Sequence, residues 1–118
     1  MEVFKEYRFD SAHMLPNVPP GHKCARIHGH TFIVSIHVQG ELKDDYGWVV
    51  DYADISVIVK PIIALLDHQY LNDIAGLENP TSENLAKWIW DKVVSQLPGL
   101  AKVIVKENPT AGCIYTGP

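Results

Sequence analysis

The stretch His28-Gly-His-Thr-Phe-Ile-Val-Ser-Ile-His-Val-Gln-Gly40 decides how the fold is read. His28, His30, Phe32, Val34, Ile36 and Val38 fall on one face, and Thr31, Ser35, His37 and Gln39 on the other, the period of two that a half-buried strand requires. The pattern predicts a strand over residues 27–40, closed by Gly40. Upstream, residues 2–13 alternate in the same way: Val3, Tyr7 and Phe9 share a face with Lys5 among them, while Glu6, Arg8 and Asp10 share the other. A first strand ending in His13 is therefore expected. Between the two, residues 14–26 carry Pro16, Pro19, Pro20 and Gly21, which prevent regular pairing and leave a loop with His22, Lys23 and Cys24 on it.

Downstream the period changes. After a turn region at Asp44, Asp45 and Gly47, the residues Ile55, Ile58, Val59, Ile62, Ile63 and Leu66 recur with helical spacing, predicting a helix capped by Asp54. Pro61 lies inside it and should kink or split it. A second helix should start at Thr81, present Leu85, Trp88, Ile89, Val93 and Leu97 to the core, and stop before Pro98 and Gly99. Residues 101–107 and 113–116 alternate like strands on either side of Asn108, Pro109 and Gly112, so the chain closes with a hairpin. The order ββααββ describes an α+β fold, an antiparallel sheet covered on one face by two helices. With no internal repeat or linker, residues 1–118 read as a single domain.

Ten basic and fourteen acidic residues give a formal charge of −4. With 47% hydrophobic and 20% charged residues the chain should fold rather than remain disordered. A chain this short removes roughly two thirds of its unfolded surface from water, enough for one core, and its sheet edges are expected to be covered by homo-oligomerisation. The acidic balance argues against a nucleic acid backbone as partner, since the nearest approach to a basic cluster is His22, Lys23 and Arg26, which suits a small anion. The longest apolar run, Ile62 to Leu66, is far short of the roughly 18 residues of a membrane span, and residues 1–20 lack a signal peptide's apolar segment. A cytoplasmic protein is expected, in which Cys24 and Cys113 are thiols.

Chemistry concentrates in Cys24-Ala-Arg-Ile-His28-Gly-His30. Two residues apart on a strand, His28 and His30 have Cα atoms about 6.6 Å apart and project to one face, so both rings can reach one ion at about 2.0–2.1 Å. A bare pair of this kind is a weak signal, more often two ordinary polar or core histidines than metal ligands. A third ligand must come from elsewhere. His37 lies an odd number of residues from His30 and faces away, leaving His13, His22 and His68, of which His13 ends the neighbouring strand. Three histidines with an open position suit a catalytic zinc, whose charge would polarise a hydroxyl or carbonyl.

Cys24 lies in the loop near that cation, where its thiolate could act as a base, whereas Cys113 reads as a small packed residue. Asp67 and His68 end the first helix and make either a cap or a proton relay. Glu107 places a carboxylate at a strand end, where a fork of two N–H donors could pair with it. Thr81, Ser82 and Glu83 read as a helix cap and first turn, and Trp48, Trp88 and Trp90 as core or subunit-contact residues.

Taken together, His13, Cys24-x-x-x-His28-Gly-His30, Leu66-Asp67-His68-x-Tyr-Leu-Asn72, Asn79-Pro-Thr-Ser-Glu83 and Lys106-Glu107 resemble the 6-pyruvoyl-tetrahydropterin synthase family over nearly the whole chain. The short gap between the cysteine and His-Gly-His resembles its bacterial branch, the 6-carboxy-5,6,7,8-tetrahydropterin synthases of queuosine precursor synthesis. The resemblance implies a tunnelling fold in which three subunits close a twelve-stranded barrel, commonly doubled to a hexamer. It implies zinc on His13, His28 and His30, catalysis by Cys24 with the pair Asp67 and His68, and a pterin anchored by Glu107. The implied activity is that of a zinc-dependent lyase acting on 7,8-dihydroneopterin triphosphate, with 6-carboxytetrahydropterin, acetaldehyde and triphosphate as products. Lys23 and Arg26 are the basic residues placed to meet the triphosphate. Rival readings are a 6-pyruvoyl product and a non-catalytic zinc or pterin-binding module. A zinc deaminase lacks support, because the chain has no His-x-Glu and Cys-x-x-Cys pattern.

Overall fold

A computed structural model describes residues 1–118. Four strands, β1 (Glu2–His13), β2 (His28–Gln39), β3 (Leu100–Asn108) and β4 (Ala111–Tyr115), form one antiparallel sheet in the order β1-β2-β3-β4. Two helices, α1 (Tyr52–Leu66) and α2 (Ser82–Val93), lie between the strand pairs in sequence and supply the buried faces that cover the sheet. This is the ββααββ arrangement that the alternation implies.

Register explains the burial. Tyr7 pairs with Val34, Phe9 with Phe32 and Ile36 with Val103, so one face carries a continuous apolar patch against Ile55, Val59, Ile63 and Leu66 of α1 and Leu85, Ile89 and Val93 of α2. Each such side chain, fully withdrawn from water, contributes about 1.5–3 kcal/mol. Towards one end of the sheet that face turns polar, because His13 pairs with His28 and Ser11 with His30. The site therefore begins where the hydrophobic core stops.

Three features of the helices differ from the sequence expectation. Asp51, not Asp54, caps α1, its carboxylate accepting the N–H of Ala53 at 2.9 Å, so the helix begins earlier and Asp54 sits in its first turn, where an acid is also favoured. Pro61 does not split α1. The carbonyl it leaves without a partner belongs to Val57, which is 74% exposed, so water can take the missing donor's place. The regular part of α2 ends at Val93, and turns carry the chain on to Leu97.

The β3–β4 pairing contains a register shift between Lys106 and Asn108, a bulge with Glu107 at its centre. Gly112 makes the close approach possible: a Cβ there would lie 2.5 Å from the Val105 carbonyl oxygen and 2.9 Å from the Lys106 Cα. The radius of gyration, 15.3 Å, exceeds the roughly 13.5 Å typical of a compact domain of this length. The chain leaves borders uncovered: nothing in it pairs with the outer edge of β1 ahead of Asp10, or with the outer edge of β4. Phe4 and Ile114 stand exposed on the sheet face away from the helices.

Candidate active site

Neighbouring strand ends bring three imidazoles together. His13, His28 and His30 each offer a ligand atom, and these atoms all lie within 4.8 Å of one another. His13 is 1% exposed and its Nδ1–H donates to the Pro80 carbonyl at 2.9 Å; His28 Nδ1–H donates to the Arg26 carbonyl at 2.7 Å. A carbonyl only accepts, so both Nδ1 atoms carry the proton, and in the neutral rings both Nε2 atoms carry a lone pair. Yet His13 Nε2 and His28 Nε2 face each other at 3.0 Å. Two lone pairs at that distance repel unless a cation lies against both. Backbone carbonyls that fix the tautomer and aim the other nitrogen at a common point are the outer partners of a metal site. The donor set, three imidazoles and no fourth side chain, fits a zinc ion with an open position.

Burial holds His13 below its ordinary value, with His28 and His30 acting in the same direction against the Pro80 carbonyl and Glu107. His30 is also lowered, chiefly by burial, with Glu107 opposing and His28 reinforcing. Both rings thus favour the neutral form that binds a metal. Phe32, fully buried, sets its ring edge-on to His13 and His30 and forms the floor beneath them.

A cavity of about 490 Å³ opens beside the cluster, lined by Lys23, Cys24, Arg26, His28, His30 and Glu107 among others. That is ample for a pterin-sized ligand. Cys24 is held there by a short 3₁₀ turn (Lys23–Ala25), in which His22 Nδ1 accepts the Cys24 N–H at 3.0 Å, and by a bond from the Leu15 N–H to the Cys24 carbonyl at 2.8 Å. His22 is thereby a cap for the turn and lies outside the histidine cluster. Glu107 Oε2 stands 4.0 Å from His30 Nε2.

Asp67 and His68 lie elsewhere in the chain's own surface. His68 lines a separate depression with Asp10, Thr31 and Gln69, and only His30 borders both that depression and the cavity holding Cys24. His68 adopts φ 56°, and its Nδ1 meets Asp67 Oδ2 at 3.0 Å. Of the tryptophans, Trp90 is buried, whereas Trp48 is 40% exposed and stacks on Tyr46.

His37 faces away from the cluster, as strand parity requires. Its Nδ1 meets Glu2 at 3.0 Å and its Nε2 meets the Ser35 hydroxyl at 3.1 Å. The order serine, histidine, carboxylate suggests a nucleophile, but around Ser35 β2 is paired on both sides, with Glu6 of β1 and Ile104 of β3, so the N–H groups there are committed to the sheet and not available for an oxyanion.

Two contacts lay beyond sequence reasoning. The Pro80 carbonyl orients His13, and the Ser82 hydroxyl donates to Glu107 at 3.3 Å. Both come from Asn79-Pro-Thr-Ser-Glu83, a stretch that carries part of the family resemblance but whose residues by themselves read only as a helix start. Asn72 is a third case: it clamps the loop after β1, accepting the Met14 N–H at 3.0 Å and donating to the Met14 carbonyl at 2.8 Å.

The fold is the tunnelling fold. Residues 2–118 match the family model described as 6-pyruvoyl tetrahydropterin synthase, and the chain belongs to that family. A 6-carboxy-5,6,7,8-tetrahydropterin synthase from Synechocystis is 39% identical, with 98% of this chain and 93% of the relative covered. A dihydroneopterin monophosphate aldolase from Pyrococcus furiosus is 37% identical, over 80% of this chain and 76% of the relative. The solved 6-pyruvoyl tetrahydropterin synthase of Caenorhabditis elegans superposes with a TM-score of 0.91 at 25% identity, covering 100% of this chain and 96% of that one. No helix is long and apolar enough to cross a membrane.

Proposed function

We propose that the protein is a zinc-dependent lyase that converts 7,8-dihydroneopterin triphosphate and water to 6-carboxy-5,6,7,8-tetrahydropterin, acetaldehyde and triphosphate, a step of queuosine precursor synthesis. The observation that carries the reading is the pair of facing Nε2 atoms on His13 and His28, 3.0 Å apart, beside a cavity holding a thiol and a carboxylate. When bound by His13, His28 and His30, zinc would polarise the side-chain hydroxyls of the substrate and make the neighbouring protons acidic.

The remaining work falls to the chain's own residues. Cys24 takes a proton from the substrate side chain as general base. Asp67 orients His68, which moves protons on the opposite side of the substrate. Glu107 accepts paired N–H bonds from the amino-pyrimidine ring, a geometry that selects pterins. Lys23 and Arg26, on the rim of the same cavity, meet the triphosphate.

The active form is a trimer-based homo-oligomer. The open edges of β1 and β4, and the exposed Phe4 and Ile114, are the surfaces that assembly would cover. Assembly would also bring one subunit's Asp67 and His68 to a neighbour's Cys24. Two unbridged thiols, Cys24 and Cys113, accord with a cytoplasmic setting.

The test is incubation of the zinc-loaded protein with dihydroneopterin triphosphate and identification of the products. Acetaldehyde released together with the 6-carboxy pterin is expected. A 6-pyruvoyl product without acetaldehyde, a glycolaldehyde fragment from aldol cleavage, or no turnover would each overturn the reading.

A further inference from the structure

Pairing between β1 and β2 ends at His13 and His28, so Met14 is the first residue beyond the ladder. Its backbone groups are taken by one side chain instead: Asn72 accepts the Met14 N–H at 3.0 Å and donates to the Met14 carbonyl at 2.8 Å. A neighbouring strand would make the same two-bond exchange; here a single amide supplies it. Met14 stands between two residues of the site. On one side is His13, the buried ring of the histidine cluster, and on the other is Leu15, whose N–H donates to the Cys24 carbonyl at 2.8 Å. The Asn72 amide nitrogen also lies 3.5 Å from the Glu78 carbonyl, two residues ahead of the Pro80 carbonyl that orients His13. Asn72 is itself firmly mounted, in a short 3₁₀ turn (Leu71–Asp73) whose first residue is fully buried and which follows the bridge between Ala12 and Tyr70.

We propose that Asn72 is a positioning residue that sets His13 and Cys24 in common register by gripping Met14 between them. The inference rests on the zinc reading of the three histidines. Asn72 bonds to neither His13 nor Cys24, so it acts through the main chain alone. Without the clamp the backbone around Met14 can rotate, and the displacement passes one way to the imidazole and the other way to the loop that carries the thiol. A ligand held a little off its place costs metal affinity, because the supporting groups aim the donor atoms. Removing the Asn72 amide therefore weakens zinc binding and loosens Cys24 together. A residue that merely filled space, or merely added to overall stability, would not couple the two.

The experiment compares Asn72→Ala, Asn72→Leu and, as a stability control, Val93→Ala in the core at the other end of α2 from Ser82. All are made in a Cys113→Ser background, which leaves Cys24 as the one thiol. Zinc affinity is read by competition with a chromophoric chelator, and Cys24 by its rate with a chromogenic aromatic disulfide, below the melting point of every variant. Both Asn72 variants should hold zinc about tenfold more weakly, the lower end of what outer partners of a metal site cost. In both, Cys24 should react several-fold faster, whereas Val93→Ala should melt earlier with both values unchanged. Wild-type zinc affinity or wild-type thiol reactivity in Asn72→Leu would overturn the inference, as would an equal loss of zinc in Val93→Ala. Should neither Asn72 variant fold, hydrogen exchange on the wild-type protein decides: the Met14 amide should be as protected as those of β1, and free exchange there would overturn the clamp. A wild-type protein that takes up no zinc would overturn the metal reading itself.

Discussion

Asp67 accepts the backbone N–H of Asp10 through Oδ1 at 3.0 Å, so the residue that ends α1 is laced to the edge of β1. The His68 N–H donates to the Asp10 carbonyl at 2.7 Å, and the Ala12 N–H to the Gln69 carbonyl at 3.0 Å, extending the lacing by two more bonds. The Asp10 N–H above all, and then the His68 ring, hold the Asp67 carboxyl below its usual range. Its second oxygen is left to orient an imidazole that is 78% exposed.

Asp67→Asn keeps an acceptor for the Asp10 N–H and removes the charge that steadies His68. Its unfolding midpoint should stay within a few degrees of wild type while turnover falls about 10²-fold or more, the scale of a lost acid–base partner. Thermal melts and a product assay check this. If turnover stayed at the wild-type level, the relay would have no part in the reaction. Activity regained on refolding Cys24→Ala and His68→Ala chains together would show that the two groups come from different copies.

His28→Ala removes one of the two facing Nε2 atoms. Bound zinc measured after dialysis should be strongly depleted. Cys24→Ala, by contrast, should keep a wild-type zinc content and lose turnover. A zinc content unaffected by His28→Ala would sink the ligand assignment, and full turnover in Cys24→Ala would remove the thiol from the role of base.

Acid should loosen the metal-free protein. His13 and His30 lie below their ordinary value of 6.5 when folded, so in the window just beneath 6.5 the unfolded chain binds protons that the folded chain does not. Stability must therefore fall as pH drops through that window and level off above it. Denaturant titrations of the chelator-treated protein between pH 5 and 8 should show the slope. A His13→Gln variant should show a shallower one.

Phe32 is fully buried, stacks on Phe9 with ring centroids 4.9 Å apart, and supports two of the clustered imidazoles, His13 and His30. Phe32→Ala should cost about 3–5 kcal/mol in chemical denaturation. Phe32→Leu, which keeps most of the volume, should cost less and retain zinc. If zinc were lost in Phe32→Leu at nearly wild-type stability, the aromatic floor itself would be needed to place the rings.

The sheet was legible because each strand has one face against the helices and one without them, so alternation in the sequence maps directly onto burial. The same parity set His28 and His30 side by side and turned His37 away. Local signals failed where two residues could serve equally well: Asp51 and Asp54 can both cap a helix, and only the path of the chain into α1 decides between them. Pro61 misled because its cost depends on whether the Val57 carbonyl meets water, which is a property of the folded surface. The bonds from His13 to the Pro80 carbonyl and from Ser82 to Glu107 span 67 and 25 residues, and no spacing rule reaches that far. The separation of His68 from Cys24 within one chain is likewise a matter of tertiary placement on which chain order is silent.

The unpaired borders of β1 and β4 bear on how the protein matures. If the proposed assembly holds, a lone subunit displays two rows of unpaired amides and carbonyls, and docking with further copies would compete with off-pathway clumping. The melting temperature should consequently climb as the sample is concentrated, and a proline introduced at Arg8 should trap a species that precipitates instead of maturing.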